Sequence, residues 1–453
     1  FRIGGTRKFF LEAKKPAVNI KEDISPAYQL RRYAWSAKLP LSILTDFEEL
    51  AVYDCRIKPV KTDRASKART YYLTYTDYND QWDEIALIFS REAVLKGSFD
   101  KYVESSKAKR GTAEVDTAFL EEIDRWREIL ARNIALRNPG LTIRELNFAV
   151  QHTIDRIVFL RICEDRGVEL YGRLMSLKNG TQVYRRLCQL FRQADDRYNS
   201  GLFHFKKEKD RTSSPDDLTL DLTIDDKTLK DIFKNLYYPD SPYEFSVFQA
   251  DILGQVYERF LGKVIRLTPG NRAVVENKPE IKKAGGVYYT PTYIVDYIVK
   301  HTVGELLEGK KPGPRGAVSK LKILDPACGS GGMFVQSARF VAEHQKYAAD
   351  ELFIHGVEKT DDTGRLARMN LAIHGWEGDI RHGGHINSYY DDPHAAVGKF
   401  DFVLANPPFN VNAVDKDRLA ADVGAGRRFP FGVPRTDNAN MLWIQLFYSS
   451  LNA

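Results

Sequence analysis

The sequence lacks the features that would mark a membrane protein, a disulfide-bonded scaffold or a zinc site. No stretch approaches the ~20 consecutive apolar residues of a membrane helix, and residues 1–5 do not resemble a signal peptide. The four cysteines have neither CxxC nor Cys/His spacing, which argues against disulfides and a structural zinc. A GxxxxGK[ST] phosphate loop is missing, so no ATPase motor is indicated. We expect an intracellular chain with reduced thiols.

Length and charge leave room for several domains and a polyanionic partner. The 453 residues suffice for roughly three domains, and 43% of them are apolar. The net charge is only +6. Basic residues nevertheless cluster at four places: Arg31-Arg32, Lys107 to Arg110, Lys206 to Lys209 and Arg427-Arg428. Each cluster either suits a polyanion or is solvated surface, and the sequence leaves both open.

Two different patterns precede the C-terminal part. Residues 9–11, 41–45 and 50–54 have strand patterns, with a helical pattern over residues 25–37, which together predict an α/β unit. Further along, from Ile143 to Ile162, apolar residues recur at three- and four-residue steps. This period predicts a helical connector.

After Gly285, short apolar runs alternate with helical patterns. Each run leads to a polar residue: 321–324 to Asp325, 354–357 to Glu358, and 400–404 to Asn406. Short buried strands alternating with helices predict a parallel, doubly wound sheet. Such sheets bind ligands at the carboxyl ends of their strands, where these polar residues lie.

A glycine-rich turn follows the first of these strands. Residues 325–332 read Asp-Pro-Ala-Cys-Gly-Ser-Gly-Gly, and Gly329 and Gly331 allow a cofactor to approach the main chain closely. Glu358 can accept hydrogen bonds from both hydroxyls of a ribose, as acidic residues do in dinucleotide-binding folds. A glycine-rich turn alone does not identify the cofactor.

In its full form, the segment 325–332 resembles the S-adenosylmethionine loop of N6-adenine and N4-cytosine DNA methyltransferases. Asn406-Pro407-Pro408-Phe409 resembles the catalytic motif of the same family. The resemblance implies that the Asn406 side chain and the Pro407 carbonyl hold the two hydrogens of the target amine. Phe409 then stacks on a base flipped out of double-stranded DNA. Holding these hydrogens directs the nitrogen lone pair at the sulfonium carbon.

Further segments extend this resemblance. Residues 285–291 are similar to the FYTP-type element of type I methyltransferase subunits and type IIG enzymes, and the order of motifs is typical of the gamma class. Residues 253–258, and 438–440 with Trp443, resemble the same group, and the segment 385–387 is expected near the adenine ring of the cofactor. The cofactor-binding residues implied are Tyr289, Thr290, Pro291, Asp325, Ala327, Gly329, Gly331, Glu358 and Asn387. Cys328 is expected to have a packing role, because an amine acceptor needs no covalent catalysis.

The N-terminal segment contains half of a nuclease motif. Glu12 and Lys14 form the ExK of a PD-(D/E)xK site, and Gln29 and Tyr33 have the QxxxY spacing of type I restriction nuclease domains. The resemblance implies that Glu12 is a Mg²⁺ ligand and that Lys14 positions or activates the attacking water. The other metal-binding Asp of this family would lie just upstream of Phe1. We therefore expect either a fragment or a domain that does not cut.

The sequence as a whole is similar to type IIG-like fused restriction and modification enzymes. The predicted domains are a PD-(D/E)xK nuclease-like domain without its N-terminus at 1–108, a helical connector at 109–275, and a Rossmann-like methyltransferase domain at 276–453. The C-terminus of the last domain and a target-recognition domain are expected to be missing. The predicted activity is N6-adenine DNA methylation from S-adenosylmethionine, with Mg²⁺-dependent cleavage in the full-length protein, in the prokaryotic cytoplasm.

Several alternatives remain at this point. In one alternative, the chain is an adenine methyltransferase whose N-terminal domain is an inactive DNA clamp. In another, the chain is a DNA-binding module without catalytic activity. N4-cytosine remains a possible target, and a methylase of protein glutamine is disfavoured by the nuclease-like front and the basic clusters. The sequence does not reveal the recognition sequence, the cleavage position or the oligomeric state.

Overall fold

The computed structural model divides the chain into two compact units. It describes residues 1–3, 6–105, 114–198, 202–206, 215–248, 263–270, 272–277, 292–305, 321–345, 352–384, 386–411, 413–435 and 439–452. One unit comprises residues 1–126, 160–183 and 226–249; the other comprises residues 127–159, 184–225 and 250–453. The predicted connector contributes residues to both units, and the division into three domains stays a prediction.

The N-terminal elements form a small α/β arrangement. They are β1 (Arg2–Ile3), β2 (Thr6–Arg7), β3 (Leu11–Ala13), α1 (Ile24–Ser36), β4 (Leu41–Thr45), β5 (Glu49–Asp54), β6 (Arg69–Thr74), α2 (Tyr78–Phe89), α3 (Arg91–Leu95) and α4 (Ser98–Ser105). Strands β3 to β6 form one sheet in sequence order, in which β3 is parallel to β4 and the other pairs are antiparallel.

The alternation of side chains along β4 and β5 explains why this sheet is covered on both faces. Ile43 and Val52 belong to a buried cluster with Phe99 of α4. Their neighbours Leu44 and Ala51 point to the opposite face and belong to a cluster with residues of α1. Successive side chains of a strand alternate between faces, so two apolar faces need two covering layers. The predicted α/β unit is confirmed.

Helices dominate the middle of the chain, as the apolar period predicts. The helices are α5 (Val115–Arg137), α6 (Ile143–Asp165), α7 (Arg173–Ser176), α8 (Val183–Tyr198) and α9 (Asp226–Lys234), followed by the hairpin of β7 (Lys263–Leu267) and β8 (Ala273–Asn277). None of the helices in the described residues has the length and hydropathy to cross a membrane.

The C-terminal elements build a parallel sheet. They are α10 (Thr292–Val299), β9 (Leu321–Asp325), α11 (Gly332–Gln345), β10 (Leu352–Glu358), α12 (Asp361–Ile373), β11 (Gly378–His382), β12 (Phe402–Val403), α13 (Lys416–Leu419) and α14 (Asn440–Ser450). The strand order is β11-β10-β9-β12, and every pair is parallel. The predicted α/β class with a doubly wound parallel sheet is confirmed.

The order of these strands locates the ligand crevice. After β11 the chain returns past β10 and β9 to pair β12 with the other edge of β9. A doubly wound sheet binds ligands where the strand order reverses, here between β9 and β12, in the crevice outside the carboxyl ends of these two strands. The core beneath it includes Ile323, Ile354 and Ile380 from three adjacent strands and Phe334 and Ala367 from two helices.

Candidate active site

The glycine loop after β9, residues 325–332, has a backbone conformation that depends on its glycines. Gly329 and Gly331 have φ angles of +54° and +77°, in the left-handed region that other residues rarely adopt. A Cβ on Gly331 would also lie 3.3 Å from the Cα of Ala367 in α12. The Asp325 carboxylate accepts a hydrogen bond from the Ala327 amide at 2.9 Å, which fixes the start of the turn. The loop thus leads directly from β9 into α11.

Glu358, at the end of β10, is hydrogen-bonded to this loop. One carboxylate oxygen accepts from the Gly329 amide at 3.1 Å and the other from the Thr360 amide at 2.8 Å. Two backbone donors keep the carboxylate at the carboxyl ends of β9 and β10. Burial nevertheless raises the pKa of Glu358, although these hydrogen bonds oppose the shift. The structure therefore brings together Asp325, Gly329 and Glu358, three of the predicted cofactor-binding residues.

Asp325 is a buried acid beside this loop. Desolvation raises the pKa of its carboxyl to about 8, and the negative charge of Glu358 acts in the same direction. A carboxyl in this environment favours a nearby positive charge, because a cation would offset the cost of ionisation. The sulfonium and ammonium groups of S-adenosylmethionine are cations of this kind, so the residues present fit that cofactor.

Replacement of Asp325 by Asn is expected to stabilise the protein in the absence of cofactor. The unfolded Asp325 loses its proton near pH 4, whereas the folded carboxyl keeps it up to about pH 8. Its contribution to stability is therefore complete below pH 4 and is lost as the pH rises to 8. Asn cannot ionise, so we expect the free energy of unfolding at pH 8 to rise by up to ~5 kcal/mol, because each pKa unit between 3.8 and about 8 corresponds to ~1.4 kcal/mol. Thermal melts measure the change.

The pH dependence separates this effect from a general gain in stability. The advantage of Asp325→Asn over the wild type should grow between pH 5 and pH 8 and level off above it. Asp417→Asn removes an exposed carboxylate from the same unit and serves as the control. An advantage of Asp325→Asn that is equal at all pH values would contradict the assignment.

The motif of residues 406–409 follows β12 and is exposed except at Pro407. The Leu404 amide donates to the Leu324 carbonyl at 2.9 Å, which aligns the end of β12 with the end of β9. Asn406 is exposed, Pro407 is buried and Phe409 is 68% exposed. Adjacent strands lie about 5 Å apart, so the end of β12 lies beside the end of β9, where the glycine loop begins, and Asn406 follows β12 by three residues.

The segment 386–392 lies against the glycine loop. Ser388 donates from its hydroxyl to the Pro326 carbonyl, and Arg428 donates to the carbonyls of Ser388 and Tyr389. The Asn387 side-chain oxygen accepts from the Tyr389 amide at 3.0 Å. Asn387 is thus near the loop and shapes a local turn, while its role toward the cofactor adenine stays a prediction. Tyr289, Thr290, Pro291, residues 253–258 and His385 lie outside the described residues.

Cys328 lies in the glycine loop and is buried. Burial, together with the nearby Asp325 and Glu358, raises the pKa of its thiol well above the usual value. A thiol in this environment is a poor nucleophile, because the reactive form is the thiolate. A packing role, as expected from the sequence, agrees with these surroundings.

In the N-terminal sheet the predicted nuclease residues lie together. Glu12 is on β3, Lys14 follows it, and Gln29 is on α1. The Lys14 ammonium lies 2.5 Å from a Glu12 carboxylate oxygen and donates to the Gln29 side-chain oxygen at 3.0 Å. The described residues contain no group of three or more His, Cys, Asp or Glu side chains that could hold a metal. The role of Glu12 as a Mg²⁺ ligand stays a prediction.

The Arg31-Arg32 cluster is buried, whereas in the Arg427-Arg428 cluster only Arg428 is buried and Arg427 is exposed. Arg31 pairs with Asp63 at 2.8 Å and Arg32 with Glu244 at 2.7 Å, and both arginines are less than 5% exposed. Arg428 is 7% exposed and binds backbone carbonyls. Arg31, Arg32 and Arg428 therefore stabilise the fold, and their charges are not exposed for binding a polyanion. Residues 107–110 and 207–209 lie outside the described part of the chain.

The sequence did not reveal the roles of Ser388, which bonds the segment 386–392 to the glycine loop, and of Arg428, which bonds to carbonyls within that segment. Their partners are backbone carbonyls far along the chain, and a serine or arginine has no local pattern that identifies such a contact. Trp443 was noted for resemblance only. Its indole nitrogen donates to the Pro408 carbonyl.

Comparisons with known proteins find similarity to DNA methylases and restriction enzymes. Residues 248–453 match the family model described as N-6 DNA Methylase. The chain is 36% identical over 344 residues to the type II restriction enzyme and methyltransferase RM.Eco57I of Escherichia coli, covering 76% of this chain and 33% of that protein. It is 38% identical over 202 residues to the type I restriction enzyme MjaIX methylase subunit of Methanocaldococcus jannaschii, covering 44% of this chain and 30% of that protein.

The chain thus spans about a third of the length of these two relatives. Among solved structures, the type I methyltransferase subunit from Streptococcus thermophilus aligns with a TM-score of 0.42 at 15% identity, covering 74% of this chain and 72% of that one. Because this structural similarity is low, the assignment of the fold rests on the strand order of the C-terminal sheet.

Proposed function

We propose that the C-terminal part of this chain transfers a methyl group from S-adenosylmethionine to the N6 amine of adenine in double-stranded DNA, as part of a restriction-modification protein. The observation that carries the proposal is the pair of exposed side chains, Asn406 and Phe409, at the end of β12 beside the glycine loop of β9. The match of residues 248–453 to N-6 DNA methylases supports it.

The residues at the strand ends fit the cofactor in charge and shape. Gly329 leaves the loop open to close approach, since no atom of the described residues beyond its chain neighbours lies within 4 Å of the place where its Cβ would be, and the buried Asp325 favours a cation. Glu358 offers carboxylate oxygens at the position where doubly wound folds bind a ribose. When bound, S-adenosylmethionine would supply an electrophilic methyl group. Tyr289, Thr290 and Pro291 are proposed to cover it.

The residues after β12 suit an exocyclic amine. The side-chain oxygen of Asn406 and the carbonyl of Pro407 can accept the two amine hydrogens, which leaves the nitrogen lone pair free for attack. Phe409 offers its face to a base flipped from the duplex, because a base in the stack cannot reach the site. Two prolines hold this segment rigid, since each fixes its own φ.

Transfer of a labelled methyl group tests the proposal. The full-length protein is incubated with methyl-labelled S-adenosylmethionine and unmethylated bacterial chromosomal DNA, and the DNA is digested to nucleosides. Label in N6-methyl-2′-deoxyadenosine is the expected result. Label in N4-methyl-2′-deoxycytidine would correct the target base, and label only in protein would refute action on DNA.

A DNA-cleaving activity of the N-terminal part is a second candidate. The observation that favours it is the contact of Lys14 with both Glu12 and Gln29 at the edge of one sheet. An ammonium held between a carboxylate and an amide can position a water beside a phosphodiester, the role that the nuclease resemblance gives to Lys14. Glu12 is proposed to hold Mg²⁺ together with water and the DNA phosphate, and no step is assigned to the metal here. Cleavage of plasmid DNA by the wild type separates this candidate from an inactive DNA clamp.

A further inference from the structure

Helix α14 contacts the loop that carries Phe409 on both sides of that residue. The indole nitrogen of Trp443 donates to the Pro408 carbonyl at 3.1 Å. Asn440 accepts from the Asn410 amide at 2.8 Å and donates to the Asn410 side-chain oxygen at 3.3 Å. The peptide groups before and after Phe409 are therefore both held by side chains of one helix.

Trp443 is itself firmly fixed, as a positioning residue must be. It is 6% exposed, and its ring lies 4.5 Å, centroid to centroid, from that of Tyr389. Both rings belong to one apolar cluster, and Ala327 of the glycine loop and Val411 pack against it. The cluster thus contacts the glycine loop on one side and the Phe409 loop on the other. A movement of Trp443 would disturb the spacing between these two loops.

We infer that Trp443 and Asn440 are positioning residues that fix the Pro408–Asn410 segment, so that Phe409 and Asn406 are already arranged to receive the flipped base before it arrives. This inference rests on the proposed function for its substrate. Asn410 has a φ of +55°, in the left-handed region that Asn adopts more readily than most residues with a side chain. The hydrogen bonds from Asn440 of α14 hold this backbone in place. A loop ordered in advance loses less conformational entropy when the base stacks on Phe409.

Hydrogen exchange of the loop amides tests the positioning without relying on activity. Trp443→Phe keeps an aromatic ring against Tyr389 but removes the indole donor and some ring volume, while Asn440→Ala removes the acceptor for the Asn410 amide. We expect both variants to exchange the amides of residues 409–411 about tenfold faster than the wild type. Asn440→Asp keeps an acceptor oxygen and should restore slow exchange at Asn410. Amides of the glycine loop should be unchanged.

Kinetics then connect this order to methyl transfer. In single-turnover reactions with saturating S-adenosylmethionine, Trp443→Phe should lower the rate of transfer to DNA about tenfold, with the Kd for the cofactor within twofold of the wild type. Tyr448→Phe removes a hydroxyl from the exposed face of the same helix and is the matched control, expected to equal the wild type.

The outcomes separate this inference from the proposed function. Exchange at residues 409–411 that is unchanged in both Trp443→Phe and Asn440→Ala would overturn the positioning roles. Faster exchange with an unchanged rate of transfer would overturn their importance for the reaction. A wild-type protein that places no label in DNA would refute the proposed function, and the exchange data would still decide whether α14 fixes the loop.

Discussion

Asn406→Ala is expected to lower methyl transfer to DNA by about 10²–10³-fold, with the affinity for S-adenosylmethionine within twofold of the wild type. Asn406 lies at the end of β12, whereas the predicted cofactor contacts Asp325 and Glu358 lie at the ends of β9 and β10. Loss of the amide removes one of two acceptors for the amine hydrogens, so the nitrogen lone pair is no longer directed. Label incorporation into DNA and calorimetric titration of the cofactor measure the two effects.

A second Asn→Ala change in the same unit provides the matched control. Asn452 is exposed and donates to the Asp401 side chain at 2.8 Å, away from the glycine loop. Asn452→Ala should methylate DNA at the wild-type rate. Asn406→Ala with intact methyl transfer would remove the central residue of the proposed site. A parallel loss of cofactor affinity would instead indicate that Asn406 supports the cofactor loop.

The architecture of the C-terminal part was accessible from sequence because its signals are local. The apolar runs before Asp325 and Glu358 correspond to β9 and β10, and the polar residues fall at the strand ends as predicted. The run before Asn406 was longer in the prediction than in the structure, where regular pairing covers only Phe402–Val403. Phe400 makes an isolated bridge to Leu451 instead. The hydropathy pattern indicates which residues are buried, but it does not indicate which segment pairs with the edge of a strand.

Contacts between distant residues account for what the sequence did not reveal. Arg32 pairs with Glu244, more than two hundred residues away, and becomes a buried structural residue. In the sequence it was part of a basic cluster open to a polyanion. Trp443 likewise acts on Pro408, 35 residues before it. The sequence shows which residues are charged or aromatic, but only the tertiary fold determines which partners their side chains contact.

Lys14→Ala is expected to lower plasmid cleavage by the full-length protein about 10²-fold, if the N-terminal part cuts DNA as proposed. The ammonium is held by Glu12 and Gln29, so its removal takes away the group that positions the attacking water and leaves Glu12 without its partner. Conversion of supercoiled plasmid to linear DNA, with divalent cations supplied, measures the rate. Glu12→Ala should reduce cleavage at least as strongly.

The neighbouring Lys15 provides a control that distinguishes the position of Lys14 from its charge. Lys15 is exposed and has the same charge, so Lys15→Ala removes one positive charge beside the site and leaves the Glu12–Lys14–Gln29 contacts in place. An exposed charge mainly affects DNA binding through counterion release, so Lys15→Ala should weaken cleavage only at higher salt. Equal losses in Lys14→Ala and Lys15→Ala would point to a DNA clamp. Methyl transfer should persist in both variants, because these residues belong to a unit other than that of Asn406.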